Sequence, residues 1–208
     1  MKKTFKFTVL FVAIAAIAIS CGSPKPQKTI DNLKAAIEGE TTASETYQAY
    51  SDKAAEEGFF NISKMFAAAS AAEAIHVGNH NAVLVELGEE EFYFTVGALT
   101  IKSTAENIQS AIEGETYEFT VMYPGFIADA EAENCEAAIE SFIMARDSEA
   151  THARLYARAL QALLAEGCDA NVSSEWHVCP ICGDLFDTIE GRSNCSICGN
   201  PASSFWKF

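Results

Sequence analysis

Residues 32–41 read NLKAAIEGET and residues 107–116 read NIQSAIEGET, seven of ten letters shared at an offset of 75. A second pair follows at an offset of 76: Glu73-Ala74-Ile75-His76 and Glu149-Ala150-Thr151-His152, both E-x-x-H. Self-similarity at such spacing marks a duplicated structural unit. Glu and His three residues apart stand one turn apart on one helix face, so both can reach one point. The copies differ at one informative place. Where the first half has Ala43, the second has Glu118, three residues after Glu115.

Working outward, each half reads as two helices. The first runs from about Thr29 to Glu57 and stops at Gly58, with Leu33, Ile37, Glu40, Ser44 and Tyr47 on one stripe. Glu40 is in phase with Leu33 and Ile37, whereas Glu38 is not, so Glu40 is the inward acid. The second runs from about Asn61 to Leu87, its stripe carrying Ile62, Phe66, Ala69, Glu73, His76 and His80. His80 is read as a supporting or surface residue and not as a ligand. Residues 89–103 break the pattern and are long for a helix hairpin; Phe92, Tyr93, Phe94 and Val96 are expected to pack this crossover on the bundle. The third helix starts near Thr104 with Ile108, Ala111, Ile112, Glu115, Glu118, Phe119 and Met122 facing in. Pro124 falls inside it and is expected to kink it. The fourth runs from Cys135 to about Glu166, with Phe142, Ala145, Glu149, His152, Tyr156 and Leu163 on its stripe, and Gly167 ends it.

A lone Glu on each of two helices, with E-x-x-H on each of the other two, is the ligand set of ferritin-like di-iron carboxylate bundles. The expected fold is therefore all-α, a ferritin-like four-helix bundle over 29–167 with one long crossover. Buried carboxylates cost several kcal/mol each unless paired or metal-bound. For one E-x-x-H, solvated acids would be the simpler explanation. Five inward Glu and two His, in duplicate, call for two cations. Carboxylate-rich, imidazole-poor sites suit iron or manganese. Tyr47 lies seven residues after Glu40 and Tyr123 eight after Glu115, placed either to hydrogen-bond the ligands or simply to pack.

The seven cysteines separate by position. Cys179, Cys182, Cys195 and Cys198 form two CxxC-G knuckles twelve residues apart, a tetrahedral thiolate set for iron or zinc, with two disulfides as the alternative. They staple a small domain over 176–208, reached by a polar linker at 168–175, that has too few apolar residues to fold alone. Cys135 and Cys168 flank the fourth helix, roughly 50 Å apart at 1.5 Å per residue, which excludes a disulfide between them.

Residues 1–20 read as a signal peptide: Lys2, Lys3 and Lys6, then the apolar run Thr8–Ile19, too short for a comfortable membrane span. The run ends Ala18-Ile19-Ser20-Cys21, similar to a bacterial lipoprotein signal with Cys21 as the lipidated residue; an uncleaved anchor is the alternative. Residues 21–28 read as a tether. The expected location is the bacterial cell envelope or periplasm, membrane-anchored by lipid. A net charge of −15 without a basic stripe argues against nucleic acid.

The bundle pattern E…ExxH…ExxE…ExxH followed by a CxxC–CxxC tail resembles rubrerythrin, over about residues 28–208. The resemblance implies a di-iron site at Glu40, Glu73, His76, Glu115, Glu118, Glu149 and His152, and a rubredoxin-like Fe(Cys)₄ centre, with zinc as the alternative metal there. It implies that Glu118 and His76 exchange at one iron with redox state and so serve catalysis; Tyr47 and Tyr123, from their positions beside the ligands, are the further catalytic candidates, as sources of protons. The implied activity is reduction of hydrogen peroxide to water, with electrons passed through the tail from a donor protein not identified by the sequence. It also implies a head-to-tail homodimer that brings one chain's tail to the other chain's site. Ser196 departs from the Pro usual in a rubredoxin knuckle. The leader departs from a mostly cytoplasmic family. Two other functions compete: ferritin-like oxidation of ferrous iron for iron handling, and a non-redox binding module with a zinc tail.

Overall fold

A computed structural model describes residues 25–208. The leader and Cys21 lie outside the described residues. Five α-helices form the bundle: α1 Gln27–Glu56, α2 Phe60–Glu86, α3 Thr104–Tyr117, α4 Tyr123–Ala132 and α5 Glu136–Glu166. Helices α1 and α2 pair closely, as do α5 and the α3–α4 span. Among the described residues no helix is long and apolar enough to cross a membrane.

Three helix N-termini are satisfied by acids from other elements. Glu133 accepts from the backbone N–H groups of Lys28 and Thr29 at α1. Asp169 accepts from Asn61 N at 2.6 Å at α2, and Glu57 from Thr104 N at 2.9 Å at α3. Each carboxylate meets orphan donors and the positive end of a helix dipole. These contacts tie elements far apart in sequence. Because Asp169 and the buried Val172 belong to the expected linker, and the buried Trp176 follows it directly, that segment is packed on the bundle and is not a free tether.

Between α3 and α4, residues Glu118–Met122 form one π-helical turn. The expected kink at Pro124 thus takes the form of a widened turn just upstream, with Pro124 in the first turn of α4. A proline has no N–H to give the preceding turn and its ring crowds the carbonyl four residues back. Widening that turn accommodates both. A π turn is one residue inserted into an α-helix, and the repeat records it. Glu40 and Glu115 are 75 apart, whereas Tyr47 and Tyr123, and every later pair, are 76 apart.

The crossover 89–103 is extended along the bundle. Asn81 holds it by accepting from Phe92 N at 2.7 Å and donating to Phe92 O at 3.1 Å. Phe92, Phe94 and Val96 turn inward, half-buried, but Tyr93 points to solvent, because an extended strand alternates its faces. The tail folds as a three-stranded antiparallel sheet in the order β2 (Leu185–Phe186), β1 (His177–Val178), β3 (Trp206–Lys207). Its β1 and β2 pack on α2 and α5.

Candidate metal centre

The mid-bundle carries two groups of four donors, each group within 4.8 Å: Glu40, Glu73, His76 and Glu149, and Glu73, Glu115, Glu149 and His152. Glu73 and Glu149 belong to both. His76 Nδ1 lies 2.9 Å from Glu73 Oε2, 2.8 Å from Glu149 Oε1 and 3.7 Å from Glu40 Oε2. His152 Nδ1 lies 3.2 Å from Glu73 Oε1, 2.8 Å from Glu149 Oε2 and 3.9 Å from Glu115 Oε1. Each shared carboxylate thus offers one oxygen to each position, the disposition of two bridging ligands. All six residues are buried.

The donor atoms test whether metals fit. Glu40 Oε2, both oxygens of Glu73 and of Glu149, and Nδ1 of both histidines are buried without a hydrogen-bond partner. A buried polar atom left unpaired is costly. Here the unpaired atoms converge on two points, so two divalent cations satisfy them together. The protein without metal carries the strain in its proton affinities. Burial, then Glu149, pushes the Glu40 carboxyl up to about 7, and burial with the neighbouring acids holds Glu115 and Glu118 well above the carboxylate range. Burial opposes charge on His76 and His152, yet Glu149 and the other acids hold both well above the usual imidazole value.

Glu118 stands apart from both groups. It opens the π turn and is half-buried. Its Oε1 is 3.9 Å from where a Cβ on Gly39 would stand. It lines a groove of about 480 Å³ between α1 and α3, together with Gly39, Ala43, Thr46, Tyr47 and Gly114. In this arrangement His76, and not Glu118, faces the first cation position. Tyr47 Oη donates to Glu115 Oε1 at 2.6 Å, and Tyr123 Oη donates to Glu40 Oε1. Each tyrosine therefore serves a ligand of the opposite half.

The histidines' other nitrogens face the tail. His76 Nε2 is 2.9 Å from Cys182 O, and His152 Nε2 is 3.1 Å from Gly183 O. A carbonyl on Nε2 fixes the tautomer that leaves Nδ1 free for a metal. Gly183 has φ +77°, and a Cβ there would lie 2.3 Å from His76 Nε2. The knuckle glycine was legible as a turn residue, but its approach to His76 required the docking itself. Asp184 was missed by sequence reasoning. It is buried beside Cys195 Sγ at 3.8 Å, and burial raises it to about 6.

In the tail, Cys179, Cys182, Cys195 and Cys198 gather within 4.8 Å. Their closest sulfurs are 3.5 Å apart, and all four are free thiols, which overturns the two-disulfide alternative. The hydrogen bond from Cys182, with backbone N–H groups of Cys182 and Ile181, pulls Cys179 down to about 4, so the knuckle favours thiolate. Cys135 and Cys168 are free as well, at opposite ends of the continuous α5.

Comparison with known proteins agrees with this geometry. The rubrerythrin family profile matches residues 31–160. Nigerythrin of Nitratidesulfovibrio vulgaris is 37% identical over 177 residues, covering 85% of each chain. Rubrerythrin-2 of Clostridium acetobutylicum is 32% identical over 187 residues, covering 89% of this chain and 100% of the relative. A solved structure of nigerythrin in a fully reduced, all-ferrous state superposes with a TM-score of 0.79 at 35% identity, covering 99% of this chain and 100% of that one. A bacterioferritin of Desulfovibrio desulfuricans, at 17% identity and a TM-score of 0.64 over 69% of this chain and 84% of that one, shares the bundle fold. The carboxylate–histidine cluster is accordingly a di-iron site, the four cysteines are a rubredoxin-like iron site, and the chain belongs to the rubrerythrin family of oxidoreductases.

Proposed function

We propose that this protein reduces hydrogen peroxide to water at the di-iron site, with electrons delivered through the Cys₄ iron of the tail. The observation that carries this reading is the docking of Cys182 O and Gly183 O on Nε2 of His76 and His152. A storage or ferrous-iron-oxidising protein has no use for a redox centre wired to its ligands, and a zinc scaffold gives the contact no role. Two ferrous ions bound here supply the two electrons that splitting the O–O bond takes. The protein's residues do the rest. Glu73 and Glu149, each with one oxygen toward each histidine, would hold the two cations together with Glu40, His76, Glu115 and His152. The α1–α3 groove leads peroxide to the carboxylate face beside Glu118, opposite the face that the tail covers. Tyr47 and Tyr123 hold protons at Glu115 and Glu40.

The electron route runs within one chain: cysteine, its carbonyl or that of the next residue, then histidine. A head-to-tail homodimer of the kind the resemblance implies would exchange the same contact between chains. The external donor is a protein that meets the tail. We further propose that residues 1–20 direct export and that Cys21 carries the lipid anchor in the cell envelope. The mass of membrane-extracted protein should begin at an acylated Cys21; a mass beginning at Met1 contradicts that placement. Rapid mixing of fully reduced protein tests the reaction itself. Oxidation by hydrogen peroxide should outpace oxidation by dioxygen. If dioxygen is clearly faster, ferrous-iron oxidation is the better reading.

A further inference from the structure

The groove between α1 and α3 has a volume of about 480 Å³, far more than hydrogen peroxide fills. A water molecule takes roughly 30 Å³ in the liquid, so a molecule with two oxygens takes on the order of twice that. Sites for small organic molecules span about 300–1,000 Å³. The repeat builds the groove from matching positions on the two helices. Ala35 and Ser110, Gly39 and Gly114, and Ala43 and Glu118 are pairs at the offset of 75, and all six line it. The glycines are the informative pair. Both lie inside helices, and neither has a positive φ, so no backbone conformation calls for glycine. Glycine is a poor helix former, and alanine would favour both helices. Packing within the chain does not call for glycine either. A Cβ on Gly114 would meet nothing within 4 Å, and one on Gly39 would meet only Glu118 Oε1 at 3.9 Å. Their smallness leaves room for something that is not part of the chain.

On α1 the groove runs from Ala35 to Tyr50, about 22 Å at 1.5 Å per residue. Ala111, Tyr47 and Tyr50 are buried at its floor, and Ala43 and Thr46 are half-buried along its wall. It reaches the di-iron site at Glu118 and at Tyr47, which donates to the ligand Glu115. Its charged lining consists, among the described residues, of acids alone, Glu38 and Glu118. A long groove walled by methyl groups and rings, with acids and no base, suits an uncharged organic molecule and repels an organic anion.

We propose that the groove admits neutral organic hydroperoxides, with the organic group lying along α1 and the peroxide end at Glu118, so that the protein reduces these as well as hydrogen peroxide. The inference rests on the peroxide-reduction reading and names a further substrate class for the same site. The O–O bond breaks with two electrons from two ferrous ions and two protons drawn from solvent. One oxygen leaves on the organic group as an alcohol, and the other leaves as water. Hydroperoxides of free fatty acids carry a carboxylate, and Glu38 and Glu118 disfavour them.

Binding is measured first, without turnover, on the full chain with diamagnetic zinc in place of iron. Cumyl alcohol, the product of cumene hydroperoxide, should bind saturably and shift the ¹³C-methyl signals of Ala43 and Ala111. Gly114→Leu, whose side chain fills the groove, should weaken binding about tenfold, the least that one methylene is worth in an apolar pocket. α,α-Dimethylphenylacetate, with a carboxylate in place of the hydroxyl, should bind at least about tenfold more weakly beside the two acids. Absence of saturable binding, shifts elsewhere only, or equal affinity for the carboxylate overturns the proposal. So does a Gly114→Leu protein that changes its oligomeric state and keeps its affinity, since the groove is then an interface between copies of the chain. If Gly114→Leu fails to fold, Ala43→Leu fills the same groove. In single turnover, cumene hydroperoxide should oxidise the reduced protein within about tenfold of the hydrogen peroxide rate, and Gly114→Leu should widen that gap by about tenfold again. Cumyl alcohol should form, one for each di-iron site oxidised. A wild type that reacts with hydrogen peroxide and not with cumene hydroperoxide overturns the proposal and leaves the hydrogen peroxide reading intact. A wild type that prefers dioxygen to both overturns that reading and this proposal with it.

Discussion

The two halves of the bundle were built alike and differ where the chemistry is uneven. In the first half α1 runs unbroken past Glu40, Ala43 and Tyr47. In the second, the matching span is broken by the π turn that begins at Glu118. The bridging acids Glu73 and Glu149 and the histidines three residues after them are equivalent to within a few tenths of an ångström in their main contacts. The differences, Ala43 against Glu118 and His80 against Tyr156, all fall around these shared ligands. Metal binding needs the symmetry, because two equal ions want two equal cages. Turnover needs the asymmetry, because oxidant and protons must arrive from particular sides.

The strongest way to break this comparison is to restore the symmetry. Glu118→Ala copies Ala43 into the second half. It should fold and hold both bundle metals, since each four-donor group is complete without Glu118. Peroxide turnover should fall by about 100-fold, the scale seen when one group that acts on the reacting charge is removed. Steady-state rates beside metal analysis check it; unchanged turnover removes Glu118 from the mechanism.

Gly183→Ala separates the bundle from its tail. The added Cβ meets His76 Nε2 at 2.3 Å on a backbone with φ +77°. Strain of that kind costs about 1–3 kcal/mol, so the tail should shift off the histidines. Electron transfer from tail to bundle should slow by about tenfold or more, as one such energy unit predicts. Both sites should stay loaded. Wild-type transfer rates would show that the carbonyl contacts are not the route.

A third break in the comparison comes from pH. Glu40, Glu115 and Glu118 are raised in the metal-free protein, Glu40 to about 7, and metals take the deprotonated forms. Metal binding should release protons, and affinity should fall as pH drops below about 7, by about tenfold per unit for each proton released. Stability of the metal-free protein has the opposite sign. Between the unfolded value of 4.5 and the folded value of about 7, the native state binds more protons than the unfolded one. The stability from Glu40 is therefore full below 4.5 and lost as pH rises through 7. The raised histidines add loss in the same direction. Thermal melts of metal-free and loaded protein across pH 5–8 should slope oppositely; parallel slopes would mean that the buried acids do not take up protons.

Much of this was legible in the sequence. The repeat, its E-x-x-H pairs and helical phase picked out Glu40 over Glu38, and the cysteine knuckles stood out by spacing alone. The π turn was written there too, in the step from an offset of 75 to 76, but Pro124 drew attention to a kink. His80 shared the ligand stripe, yet its buried contact with Ser141, a residue 61 positions away, had no signal in the sequence. Gly183 and Asp184 gain meaning only from docking, and docking is set by the packing of Val172, Trp176 and Leu185 with the bundle core, which no local pattern encodes.

The central claim is that electrons leave the tail iron only through the bundle. Mixing reduced protein with hydrogen peroxide and following the return of ferric-thiolate colour tests it directly, in the wild type and in a Glu73→Ala, Glu149→Ala protein that lacks both bridging ligands. The account predicts rapid return of colour in the wild type and almost none on the same timescale in the variant, with the tail iron present in both. Equal rates in the two proteins would contradict it.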